Sequence, residues 1–527
     1  MKYINNSKFY VVGGGIASLA SAAYLIREGH VDGKNINIFE GSEEFGGSMD
    51  SGGSAKEGYV CRGFRMFEDK VYSSTFDLFS FIPSVDDPNK TIMDTFSEFN
   101  RNIPICSKAR LIEKGNIIDA DSFGLNWRDK SNLLELMELS EDSIENKEIR
   151  DHFTPSFFKT NFWFEFCTTF AFQPWHSLIE MQRYLFRFLH DLPLLSTLSC
   201  VRSGQYNEHD FIILPVMKWL REKRVNFIAG TIVTDIGISI SGGDKIAVSI
   251  DYTNEGKQHQ IKVGKNDFVF TTIGSMTEGS SIGSMDAPPK FMPTRSNPSW
   301  DLWEKIARYD SDFGNPAIFN RSVDRSKWES FTITSTDQNF FKFIEEITGN
   351  EIGTGGIITF KNSGWLISLL FPSQPYFRGQ PKDTGVFWGY ALMPDNEGDF
   401  VEKRMTECSG KEILFEILSQ FGLQRETDSI TSNSICRPCL MPYITSQFSP
   451  RAKSDRPNVV PKGVTNFAFL GQFVEIKDEI VFTVECSVRS AQMAVYSLLN
   501  IEKEIPPIYQ GKHDPKVIYG MVKRLLL

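Results

Sequence analysis

The feature that most constrains this chain is the run Lys8 to Val12, which feeds without a spacer into Gly13, Gly14 and Gly15. An apolar stretch of strand type that ends in three glycines must turn sharply. From Ile16 to Ile26 the apolar and small residues then recur at helical spacing, and Gly29 ends the pattern. Gly13 and Gly15 hold the first two positions of a G-x-G-x-x-G pattern, where a side chain would keep a diphosphate off the backbone. Ser18 holds the third, where a small residue suffices. The first helical residues, Ile16 and Ala17, would point their free amides at that diphosphate. Ile36 to Phe39 reads as a second strand ending in Glu40, from which a carboxylate accepts bonds from an adenosine ribose.

A lone glycine pattern is a weak signal, and its surroundings sharpen it. Gly46, Gly47 and Ser48 extend the phosphate-facing surface in the manner of flavoproteins rather than nicotinamide dehydrogenases, so the reading is FAD, with NAD(P) or a turn without ligand as the alternatives. Gly58 to Asp69 is a glycine-bearing, arginine-rich loop that would return beside the cofactor. Arg62 and Arg65 then contact phosphates or hold a carboxylate, or else are solvated. Ser275 and Met276 follow a predicted strand at Phe268 to Thr272 and form another cofactor loop.

A chain of 527 residues exceeds a single core. The expected class is α/β: a discontinuous Rossmann-like FAD-binding domain, a mixed α+β substrate domain and a helical C-terminal region. Residues 1–150 open the FAD domain, 151–225 form an aromatic-rich helical region, and 226–299 return to the FAD domain through a small β-meander. Residues 300–445 form the substrate domain, 446–500 complete the FAD domain, and 501–527 are an amphipathic tail. The 44 phenylalanines imply a large apolar interior or a greasy ligand. Their densest stretch, Phe153 to Trp175, fills a core or lines an apolar channel. A net charge of −10 gives no reason to expect nucleic-acid binding. The chain runs almost directly into its first strand, which reads as a cytoplasmic protein without a signal peptide or spanning helix. Eight scattered cysteines suit reduced thiols; Cys436 and Cys439, the tight pair, read as a loop with two incidental thiols, and no metal site is expected.

The segments GGGIASLASAAYLIREG, GGSMD, TTFAFQPWHS, GSMT, WGYALMPD, PYITSQF and NFAFLGQFVEIKDEIVFTVECSVRSAQMAVYSL resemble the oleate hydratase family, also called myosin-cross-reactive antigens. The resemblance covers nearly the whole chain. It implies FAD, and addition of water across the cis double bond of an unsaturated, oleate-like fatty acid without net oxidation. By the same resemblance Gly471 to Glu475 return to the flavin, Thr445 and Gln447 lie near the fatty acid carboxylate or else belong to a hydrogen-bonded loop, and Trp175 lines the channel. Tyr206 matches the family's proton-donating tyrosine. The family's Arg-Gly-Gly-Arg-Glu loop is matched by Arg62, Gly63, Phe64, Arg65 and Met66, so its water-activating glutamate is a methionine here. Glu68 is the nearest carboxylate on the loop, while Glu208 and His209 beside Tyr206 are unusual and either carry the missing proton or form a surface turn. A flavin-dependent double-bond isomerase or oxidoreductase, and a lipid-binding flavoprotein without turnover, stay open. The tail places Val517, Met521, Leu525 and Leu526 on one side of a helix with Lys516, Lys523 and Arg524 nearby, which suits either peripheral contact with an anionic membrane or packing of that face on the protein body or a partner subunit; monomer and homodimer are both open.

Overall fold

The computed structural model describes residues 7–291 and 297–526. Among these, Phe9–Val12 lies at the centre of a five-stranded parallel sheet, with Ile36–Phe39 and then Asn226–Ile228 on one side, and Phe268–Thr272 and then Phe467–Leu470 on the other. The strands FYVV, INIF, FVFTT and FAFL are near-continuous apolar runs, as a parallel sheet covered on both faces demands. Strand order reverses between Phe9–Val12 and Phe268–Thr272. A crevice therefore forms beyond the carboxyl ends of those two strands, where doubly wound sheets take their ligands.

Helix Ile16–Arg27 covers one face through Leu19, Ala20, Ala22 and Ala23, all 0% exposed. Against it packs the closing helix Val484–Leu498, whose start is fixed by the Thr483 hydroxyl accepting the Cys486 N–H at 3.1 Å, a cap that contributes about 1 kcal/mol. Tyr24 and Arg27 both reach Asp77, at 3.0 and 2.5 Å, and so tie the first helix to helix Ser73–Phe79. An antiparallel three-stranded meander, Thr231–Ser241, Asp244–Asn254 and Lys257–Lys262, stands where the sequence places it.

The second sheet is mixed and has eight strands among the described residues. At its centre Trp328–Ser335 pairs antiparallel with both Gly385–Ala391 and Ser434–Met441. Phe331 and Ile333 turn to a core shared with helices Gln338–Thr348 and Gly410–Gln420. The alternate residues Thr332 and Thr334 face inward, where their hydroxyls accept the Cys61 and Tyr59 N–H groups at 3.1 and 2.9 Å. That grip holds the strand Gly58–Cys61, which leads straight into Arg62. The far edge of the sheet comes from Leu111–Glu113 and Asn116–Ile117, well ahead of residue 300. The buried Arg110 guanidinium secures that edge through Thr359 Oγ1, Thr168 Oγ1 and the Glu165 carbonyl, each at 2.9 Å.

Packing corrects one sequence expectation and decides between the alternatives left open by two others. Cys436 and Cys439 lie buried in the strand Ser434–Met441 rather than in a loop. The aromatic stretch fills a core: Phe157, Phe162, Phe166 and Phe172 are 0% exposed, and the rings stack on one another and on Phe448, with centroids 4.0 Å apart for Phe153–Phe157 and 4.4 Å for Phe172–Phe448. In the tail helix Pro515–Leu526, Met521 and Leu525 are 2% and 7% exposed, so of the two alternatives for this face, lipid or the protein body, it takes the body, and Ile518, Tyr519 and Val522 look outward. The Leu526 side chain lies outside the described residues. Among the described residues, no helix is long and apolar enough to cross a membrane.

Candidate functional site

Two glycine turns meet backbone to backbone at the crevice. The Gly46 N–H donates to the Gly14 carbonyl at 3.0 Å, and a Cβ on Gly47 would sit 3.2 Å from the Gly15 Cα. Gly46 and Gly47 have φ of 135° and 59°, a region that favours glycine. A Cβ on Gly14 would lie 2.6 Å from the Phe45 ring and 2.7 Å from Glu40 Oε2. Gly13 and Gly471 both crowd Thr272: a Cβ there would approach it to 3.1 and 3.3 Å respectively. Ser18, fully buried, joins the same point through Thr272 Oγ1 at 3.1 Å and the Val12 carbonyl at 3.4 Å. Helix Ile16–Arg27 begins at Gly15 with no side-chain cap, which leaves the amides of its first turn, Ile16 and Ala17 among them, to a ligand.

Glu40 is oriented before any ligand arrives. Its carboxylate accepts the Gly14 N–H at 2.6 Å and the Ser42 N–H and hydroxyl at 2.9 and 3.1 Å. The loop carrying Ser275 and Met276 closes in from the neighbouring strand. Burial raises Glu278 at its end above the usual carboxylate range, and the Glu40 charge adds to that. The residues therefore fit a dinucleotide: close backbone approach where a Cβ would intrude, an uncapped helix start, and an acceptor at the end of the second strand.

Against this crevice the structure brings together the two segments the sequence singles out as catalytic, far apart in the chain. Phe67 and Arg202 exchange backbone hydrogen bonds at 2.8 and 2.9 Å. The Arg65 N–H donates to Glu208 Oε1 at 2.5 Å, and its guanidinium reaches the Ser48 carbonyl at 3.1 Å. Arg62 is taken by Asp50, bidentate at 2.5 and 2.9 Å, and Met66 is a half-buried apolar contact. The Glu68 carboxylate caps its own turn, accepting the Lys70 and Val71 N–H groups at 2.8 Å, and its other oxygen lies 3.1 Å from His190. With Asp191 these side chains bring three ligand-type atoms within 4.8 Å of one another, a grouping that sequence spacing does not reveal.

Tyr206 lies under the Arg378 guanidinium, 4.4 Å from its ring centroid, in a surface cleft that also includes Asp86, Thr95 and Phe211. Burial, with the Asp86 charge, raises the Tyr206 hydroxyl above the ordinary tyrosine pKa. His209 opens a π-helical turn, His209–Ile213, a backbone form frequent at functional sites, and its Nδ1 lies 3.4 Å from Asp210. Glu208 is 6% exposed, and burial pushes its carboxyl up to about 7, against the pull of Arg65. Sequence reasoning missed Tyr376, whose ring stacks near Phe64 and whose buried hydroxyl has no partner among the described residues. Only the fold delivers it, through the Asn207 N–H donating to the Tyr376 carbonyl at 2.9 Å.

The PYITSQF segment packs beside Trp175, joined by the Ser177 N–H donating to the Phe448 carbonyl at 2.7 Å. Thr445 donates to the Ser326 carbonyl at 2.9 Å, and Trp175 Nε1 to the Arg325 carbonyl at 2.8 Å. Gln447 is fully buried, and its Oε1 has no partner among the described residues. Glu475 is held by Arg183 at 2.6 Å and Arg451 at 2.9 Å, in a buried network that continues to Glu180 and Arg456. Burial alone would raise Glu180, but Arg456, Arg451 and Arg183 outweigh it and hold it below the usual carboxylate range. Glu475 thus fixes the returning segment, a role invisible in the local sequence.

The sequence pattern described as the MCRA family matches residues 6–496. The chain is 36% identical over 523 residues to an oleate hydratase of Streptococcus pyogenes serotype M49 (strain NZ131), covering 97% of this chain and 88% of that protein. It is 31% identical over 570 residues to a linoleate hydratase of Lactiplantibacillus plantarum, covering 99% of each. Among solved structures, cyclohexylamine oxidase from Brevibacterium oxydans IH-35A shares the fold, with a TM-score of 0.53 at 11% identity over 94% of this chain and 99% of that one.

Proposed function

We propose, from the premise that the chain belongs to the MCRA family and is a fatty acid hydratase, that it uses FAD to hydrate a cis double bond of an oleate-like fatty acid to a hydroxy fatty acid. The observation that carries this reading is the end-to-end likeness to two hydratases of different fatty acids. Gly13, Gly15, Ser18, Glu40, Gly46, Gly47 and Gly471 would hold the dinucleotide, for which the doubly wound sheet and its glycine cradle are suited. When bound, FAD supplies shape and electrostatics to the place where the alkene is held.

Hydration of an isolated alkene needs a proton at one carbon and water oxygen at the other, both delivered to a fixed chain. In this proposal Tyr206 gives the proton, Thr445 and Gln447 position the carboxylate end, and Trp175 lines the channel. Met66 cannot exchange protons, so the water-activating group is atypical. The Arg65 contact with Ser48 supports a loop placed beside the cofactor turn. The test is reconstitution: apoprotein should leave oleate unchanged and FAD should restore hydroxy fatty acid formation, whereas equal activity with and without FAD would refute the cofactor's part.

A further inference from the structure

Met66 leaves the Arg62–Met66 loop without a carboxyl group, yet that loop is fastened to a carboxylate from elsewhere in the chain. Glu208 Oε1 accepts the Arg65 N–H at 2.5 Å, while the Arg65 guanidinium reaches the Ser48 carbonyl on the phosphate-facing turn. Asn207, next to it, accepts the Ser51 hydroxyl at 2.8 Å and donates through its side chain to the Tyr376 carbonyl at 3.1 Å. Glu208 is therefore anchored on both sides between the glycine turn and the Tyr376 segment.

The titratable groups facing Glu208 are Arg65 from the loop, Cys61 from the strand before it and Tyr376 from the segment beyond; on its own turn His209 pairs with Asp210. Burial raises both the Cys61 thiol and the Tyr376 hydroxyl far above neutrality, so they keep their protons, and an arginine does not give its proton up. Glu208, pushed up to about 7, is the member of the cluster whose proton comes and goes near neutral pH.

We infer that Glu208 is the proton acceptor of the hydration site, taking from the attacking water the proton that Met66 cannot take. The inference rests on the hydratase reading. In balanced form, an O–H bond of water breaks and its proton passes to the Glu208 carboxylate while the oxygen bonds to one alkene carbon. The π pair meanwhile takes a proton from Tyr206 at the other carbon. Return of the proton from Glu208 to the tyrosinate closes the cycle, and no oxidant or reductant is consumed.

Glu208→Gln keeps a carbonyl to accept the Arg65 N–H and removes the proton exchange. In FAD-loaded protein kcat should fall about 10²- to 10⁴-fold with KM little changed, and the wild-type limb of kcat/KM near pH 7 should vanish. Wild-type hydration together with a Glu208→Gln variant that keeps both its rate and that limb overturns the inference and spares the hydratase reading; a wild-type enzyme that makes no hydroxy acid overturns that reading itself. Should the variant fail to hold FAD, infrared titration of the wild type decides. A buried carboxyl band ionising near pH 7 that is missing from the same titration of the flavin-free Glu208→Gln variant supports the assignment, and a band that persists in the variant, or no band at all, overturns it.

Discussion

Glu40→Arg probes the nucleotide crevice most sharply. The wild-type carboxylate is fixed by three donors, the Gly14 N–H, the Ser42 N–H and the Ser42 hydroxyl, so it meets a ribose without first being ordered. Arginine removes the acceptor and brings a cation with only donors. A charge-assisted hydrogen bond contributes about 1.5–3 kcal/mol, which at about 1.4 kcal/mol per decade raises the FAD Kd roughly 10- to 150-fold. The backbone at this position is independent of the side chain, since the Glu40 N–H still donates to Ile228 at 3.0 Å and its carbonyl still accepts the Thr231 N–H at 2.7 Å. The apoprotein should therefore keep its fold, checked by circular dichroism, while flavin-fluorescence titration reads the loss of affinity. An unchanged Kd in a folded variant would refute the placement of the adenosine ribose at Glu40.

Burial pushes Glu165 up to about 8 from 4.5, although Arg110 pulls it down, so its contribution is fully present below pH 4.5 and is lost as pH rises toward 8 because the unfolded chain ionises first. At pH 7 this amounts to about 3 kcal/mol, and Glu165→Gln should stabilise the protein by that order at pH 7 and by little at pH 4; equal effects in denaturant titrations at the two pH values would contradict it. Thr445→Ala should raise KM for a free fatty acid more than it lowers kcat, and an unaltered KM would remove Thr445 from the carboxylate site. Deleting residues 514–527 should lower recovery with anionic vesicles in flotation, since Lys516 and Lys523 each contribute about 1 kcal/mol near such a surface, beside the outward-facing Ile518, Tyr519 and Val522. Equal recovery of both proteins would exclude a membrane role for the tail.

The nucleotide half of the fold was legible because its signals are local. Apolar strands ending in glycine, a small-residue helix, Glu40 at a strand end and Thr483 ahead of a helix each constrain a few neighbouring residues, and those constraints agree with one another. The second sheet was legible only as strands. Nothing near Leu111 says that it will pair with Thr359, because that register is set by long-range packing and by Arg110 beneath it. For the tail, the helical spacing of Met521 and Leu525 was readable, but the partner of that face was not: lipid and protein interior ask for the same side chains. At the site, residue types showed that Met66 cannot serve as a base. What singles out Glu208 over its neighbour His209 is burial and the Arg65 contact, and both are properties of the folded chain.

The hydration claim is tested most directly by incubating FAD-loaded protein with oleate in oxygen-18 water and measuring the product by mass spectrometry. Hydration predicts a product heavier than oleate by one labelled water, with the label in a new hydroxyl group and the flavin in its starting redox state afterwards. A product of unchanged mass would point to isomerisation, a loss of hydrogen would point to oxidation, and unaltered oleate would mean no turnover; each would contradict the account.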